Sequence, residues 1–219
     1  MGACCQSCSE DTASLTPRYR RVLTVVLAIN AIMFAVEVVW SLIAGSTALQ
    51  ADALDFLADT LTYGLTLSVL GRPLAVRARA ALVKGGSLGV MAALVLGAAL
   101  WRVFTGAMPE AVTMGSIAGL ALAANLTSVA LLYRFRDGDA NMASVWQCSR
   151  NDAIGNLAVI AAAGAVSVTG SGWPDIVVAV AMASLFLQSS LRIVSRARRE
   201  LEDTTASPLE ATGTPGGLS

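Results

Sequence analysis

The chain has 219 residues, of which 55% are hydrophobic and only 14% charged, with acids and bases balancing to a formal net charge of zero. An average soluble domain carries about 25% charged residues. This composition therefore excludes an ordinary water-soluble fold and points to a chain that lives in a bilayer.

The first segment, residues 1–17, is short and polar and reads as a cytoplasmic tail without a core of its own. It carries Cys4, Cys5 and Cys8. Thiols this close together in a reducing compartment are suited to capturing a soft metal ion and do not form a disulfide framework; capture and an unremarkable tail both remain open. Beyond it lie apolar runs at 22–44, 47–70, 80–104, 113–133, 144–168 and 174–194. A membrane-crossing helix needs about 20 such residues, so the expectation is an all-α membrane protein: a bundle of six transmembrane helices filling residues 18–199. The first run is too long for a signal peptide and no small-residue cleavage site follows it. Residues 200–219, rich in Thr, Pro, Gly and Ser, read as a disordered cytoplasmic tail.

Lys and Arg flanking spans are retained on the cytoplasmic side. Here Arg18, Arg20 and Arg21 precede the first run; Arg72, Arg77, Arg79 and Lys84 surround the second connection; Arg134 and Arg136 occupy the fourth; Arg192, Arg196, Arg198 and Arg199 end the sixth. The alternate connections hold only Arg102. Both termini are expected in the cytoplasm.

The polar residues inside the runs carry the chemistry, because a charged side chain at mid-bilayer costs at least about 2.5–3.5 kcal/mol and marks function by default. The second run contains Asp52, Asp55 and Asp59, and the fifth contains Cys148 and Asp152. Residues four apart share a helix face about 6 Å apart along the axis. Asp55 with Asp59 and Cys148 with Asp152 thus form two ladders, and three carboxylates with one thiolate suit a tetrahedral transition ion such as Zn²⁺. Sulfur argues against Mg²⁺ and Ca²⁺. Asp52, nearer the end of its run, is open to two readings, ligand or partner of the helix N-terminal dipole. Asn30, Glu37 and Asn125 read as interhelical hydrogen-bonding groups around the site, with Glu37 also a candidate proton carrier. Arg150 faces away from the two fifth-run ligands, toward another helix or Glu37. Lys84 reads as snorkelling to the cytoplasmic interface, with an ion pair to an intramembrane acid as the alternative. Glycines such as Gly85, Gly86, Gly89 and Gly119 predict close helix approach.

Asn30, Phe34 and Glu37, the stretch Gly45-Ser46-Thr47-Ala48-Leu49-Gln50-Ala51-Asp52-Ala53, then Asp55 and Asp59, resemble the cation diffusion facilitator signature. Asn125, the Cys148-Ser149-Arg150-Asn151-Asp152-Ala153 stretch and Gly172-Trp173 also fall where that family has similar residues, so the resemblance covers about residues 18–199. It implies that Asp55, Asp59, Cys148 and Asp152 bind the transported ion. The chain departs from the family in having Cys148 where His or Asp is usual and in lacking histidine altogether, and with it the His-rich loop of many zinc-transporting relatives. Selectivity is therefore not transferable. The family's usual ferredoxin-like cytoplasmic domain after the last helix has no counterpart in residues 200–219, so a short form is expected, with any homodimer made through membrane helices.

A low-dielectric cluster of carboxylates favours proton-holding forms when empty, and metal binding expels those protons. Alternating access to such a site exchanges metal for protons. The expected function is a proton-coupled antiporter exporting Zn²⁺, Cd²⁺ or Co²⁺ from the cytoplasm, with no cofactor, no enzymatic activity and no nucleic-acid partner, in a lipid bilayer, by resemblance the bacterial inner membrane. The alternative is a membrane metal sensor or scaffold that binds without transport. An exporter of organic cations would also keep the acids but has no use for Cys148.

Overall fold

Inside a bilayer every backbone amide and carbonyl must find its partner within the protein, and a long helix does so locally. The computed structural model describes residues 17–68, 74–136 and 140–206. They form α1 (Pro17–Ala44), α2 (Thr47–Ser68), α3 (Leu74–Thr105), α4 (Ala111–Leu132, followed by a 3₁₀ turn at Tyr133–Phe135), α5 (Ala140–Thr169) and α6 (Trp173–Ala206). Five of the six are long and apolar enough to cross a membrane; α2 is long enough but is interrupted by its three aspartates. The bundle is all-α, with no strand among the described residues.

Three short connections gather at one end of the bundle. There α1, α3 and α5 are each followed by a glycine in the left-handed region, Gly45, Gly106 and Gly170, with φ of 60°, 63° and 62°. A left-handed residue just past a helix lets the last carbonyls be satisfied, and glycine adopts it without strain. At this glycine end the Glu110 amide donates to the Ala44 carbonyl at 2.8 Å, tying the start of α4 to the end of α1. Glu110 also caps its own helix, accepting from Val112 N at 3.0 Å and Thr113 N at 2.6 Å. The bonds from Thr113 hold its carboxyl below the usual range.

At the opposite, basic end α3 and α6 overrun the expected spans. Helix α6 continues through Ala206, past the position where a loose tail was expected to begin, and an Arg196–Glu200 ion pair at 3.0 Å bridges one turn of this extension. Residues 207–219 and the cysteines Cys4, Cys5 and Cys8 lie outside the described residues.

The principal neighbours are α3 with α6, α4 with α5, and α1 with α2; α2 also packs on α3, α5 and α6. That position inside the bundle is what makes three aspartates tolerable on one helix. Near the glycine end the core is dominated by small side chains, including Ala48, Ala51, Ala118, Ala162, Ala179 and Ala183, whereas Tyr19, Leu23, Tyr63 and Leu132 fill the basic end.

Helices α3 and α6 approach closely at two glycines. A Cβ on Gly89 would lie 2.6 Å from Ser190 Oγ, and one on Gly85 would lie 2.9 Å from a Val194 methyl. Ser190 cannot yield freely, because its hydroxyl donates to the Gly85 carbonyl at 2.6 Å. Gly89→Val is accordingly expected to cost about 1–3 kcal/mol through overpacking, read as a lower midpoint in equilibrium unfolding of the purified protein in mixed micelles. Gly97→Ala, at a position with open space around it, serves as the neutral control.

Candidate functional site

Helix periodicity places Asp52, Asp55 and Asp59 on α2, and the bundle turns them inward: Asp52 is fully buried, Asp59 is 5% exposed and Asp55 is half-buried. On α5, Cys148 is 4% exposed and Asp152 is 7% exposed. The Asp55 and Asp152 carboxyls interact across the gap between the two helices. One turn toward the basic end, the Tyr63 hydroxyl donates to Asp59 Oδ2 at 2.6 Å and lies within electrostatic reach of both Cys148 and Asp152. The four candidate ligands therefore occupy facing sides of α2 and α5 at two successive levels. Among the described residues, no three acidic or thiol groups converge into a closed ligand cluster.

A second acidic level lies one turn toward the glycine end. Glu37 of α1 and Asp52 of α2 interact there, both fully buried, with Asp55 in electrostatic reach of each. None of their four carboxylate oxygens has a hydrogen-bond partner among the described residues. Asp52 does not serve the α2 dipole: the first turn of α2 is capped instead by Asp175 of α6, which binds the amides of Thr47 and Ala48. The other polar residues divide. Asn125 is buried on α4. Asn30 is buried, but its amide donates to the Val26 carbonyl of its own helix at 2.8 Å, where a bond between helices was expected.

Two basic residues differ from expectation. Lys84 does not snorkel: it is buried and donates to Thr62 Oγ1, whose hydroxyl hydrogen is used on the Ala58 carbonyl at 2.6 Å. Nor does it pair with an acid in any ion pair among the described residues. It starts ten residues into α3, where α2 and α6 flank it, so the shorter route for the ammonium is sideways to a hydroxyl. A buried cation held by a neutral group gains little stability. Lys84→Met should leave stability within about 1 kcal/mol or raise it, measured by the same unfolding assay. Arg150 is exposed and stacks over the Trp146 ring at 5.3 Å, away from Glu37.

Sequence reasoning passed over Tyr63, Asn156 and Asp175. Tyr63 had a usable signal, being four residues beyond Asp59 on the same face. Asn156 repeats the Asp152 face one turn on, and it is fully buried, with neither amide atom partnered among the described residues. Asp175 had only the signal of an acid opening an apolar run.

Residues 76–201 match the family model described as the cation efflux transmembrane domain. The matched stretch is more than half of the chain, runs from α3 into α6 and includes Asn125, Cys148 and Asp152. No curated protein matches the chain.

Proposed function

This chain belongs to the cation efflux transmembrane family and so moves metal cations across a membrane, and from that premise we propose that it is a proton-coupled antiporter for Zn²⁺, Cd²⁺ or Co²⁺. The observation that carries this reading is the facing of Asp55 and Asp59 on α2 with Cys148 and Asp152 on α5, all buried except the half-buried Asp55. The family match begins after α2, so the assignment of Asp55 and Asp59 rests on this geometry.

Three carboxylates and a thiolate bind a divalent transition ion only in their deprotonated forms, so each ion loaded displaces protons. A site that alternates between the two membrane faces then exchanges metal outward for protons inward. Tyr63 orients the Asp59 carboxylate by its hydroxyl bond. Sulfur at Cys148 favours softer ions, and metal availability with the general affinity order decides among them. The Arg-rich ends of the helices support a cytoplasmic location for both termini, which places the glycine end outside. Cys4, Cys5 and Cys8 would then stand at the loading side.

The deciding experiment is metal flux into proteoliposomes under an imposed pH gradient, with Zn²⁺, Cd²⁺, Co²⁺ and Mn²⁺ compared at equal concentration. Uptake that follows the gradient and prefers the softer ions is expected. Stoichiometric binding without flux would move the chain to the sensor class.

A further inference from the structure

At the glycine end one carboxylate joins the start of α6 to the start of α2. Asp175, in the first turn of α6, is fully buried. Its Oδ1 accepts from Ser46 Oγ at 2.6 Å and Ala48 N at 3.0 Å, and its Oδ2 accepts from Thr47 N at 2.8 Å and Thr47 Oγ1 at 2.7 Å. Arg102, in the last turn of α3, brings a guanidinium nitrogen to 3.7 Å from the same Oδ2 and packs so close to Gly45 that a Cβ there would meet it at 2.7 Å. The α2 terminus, with its unsatisfied amides and positive dipole end, is thus fastened to the α3–α6 pair by ionic hydrogen bonds.

The clasp is set in buried surroundings. Ser46, Thr47, Ala48, Leu49 and Ala51 are all fully buried, so these residues around the start of α2 are closed to solvent in this structure. The apolar packing beside it mixes small and large side chains, with Ala48 and Leu49 of α2 and Ala179 and Phe186 of α6 among them. On the α3 side of α2, a crevice of about 170 Å³ lined by residues including Phe34, Gln50, Leu54 and Met91 leaves room for displacement. Farther along, Lys84 joins α2 to α3 again at Thr62, so α2 carries a polar fastening toward each end.

We propose that the Asp175 clasp is the gate on the glycine side of the ion path, closed in this structure and opened when α2 parts from α6 to expose the Asp55–Asp152 level. The proposal rests on the transport reading of that site, yet its test does not require transport. In a chain with Cys4, Cys5 and Cys8 replaced by Ser, Cys148 is the sole thiol. This chain, reconstituted in proteoliposomes, is exposed to a membrane-impermeant maleimide from the glycine side, alone and with Asp175→Asn or Thr47→Val added. Asp175→Asn should speed labelling of Cys148 at least about tenfold, the population shift that ~1.4 kcal/mol of gate weakening produces. Thr47→Val removes one hydroxyl bond and keeps the backbone bond, so a smaller acceleration is expected. Unchanged labelling in correctly folded variants overturns the gate; if Asp175→Asn fails to fold, Thr47→Val alone decides. A wild-type chain that binds metal but shows no flux would instead strike the transport reading, leaving the labelling result standing.

Discussion

Asp59→Asn is expected to abolish gradient-driven metal flux while leaving the fold intact. Asparagine matches aspartate in volume, and its carbonyl oxygen still accepts from the Tyr63 hydroxyl that now bonds Asp59 at 2.6 Å. What is lost is one negative charge at a position 5% exposed, deep in α2. A divalent ion leaving water for such a place depends on anionic ligands, because neutral oxygens do not offset its desolvation. Losing even an outer partner of a metal ligand commonly costs 10–100-fold, so removal of a ligand charge should reduce flux at least about 100-fold. Proteoliposome uptake of Zn²⁺ and Cd²⁺, set beside the unfolding midpoint of the same preparation, reads both halves of the expectation. Undiminished flux would remove Asp59 from the path, and with it the central assignment of the α2–α5 site.

Asp175→Ala should show the largest loss of stability of any substitution outside that site. The change strips the acceptor from two backbone amides and two hydroxyls and leaves the Arg102 guanidinium facing no counter-charge. Breaking a buried ionic pair from one side costs about 3–5 kcal/mol, since the surviving partner stays desolvated. Equilibrium unfolding in mixed micelles measures the loss, and amide exchange in the first turn of α2 locates it, because Thr47 N and Ala48 N lose their only acceptor from α6. A shift below about 1 kcal/mol would mean that water or lipid headgroups replace the carboxylate, as they do at exposed helix ends where caps contribute about that much. Double substitution with Arg102→Met should recover part of the loss, since the orphaned cation then disappears as well.

The level of Glu37 and Asp52 gives the site a depth that its four ligand candidates alone do not. Two buried carboxyls, Glu37 and Asp52, put acidic oxygen one turn from Asp55 on the side of the clasp.

Six helices and their approximate extents were legible in the chain alone, as was the sharing of one helix face by Asp55 with Asp59 and by Cys148 with Asp152. In lipid, apolar length and backbone satisfaction are local requirements, so each span announces itself without reference to the others, and the i, i+4 spacing puts ligands on one face whatever the neighbouring helix turns out to be. Tertiary packing decided the rest. The cap of α2 comes from Asp175, nearly 130 residues away in sequence, and no local pattern links the two. Lys84 turns toward Thr62 and Arg150 toward Trp146 because of which helices stand beside them, and Glu37 meets Asp52 because α1 and α2 pack at matching heights. Helix rotation and height belong to no single segment; they are fixed only when side chains from different helices compete for the same space and the same few polar partners.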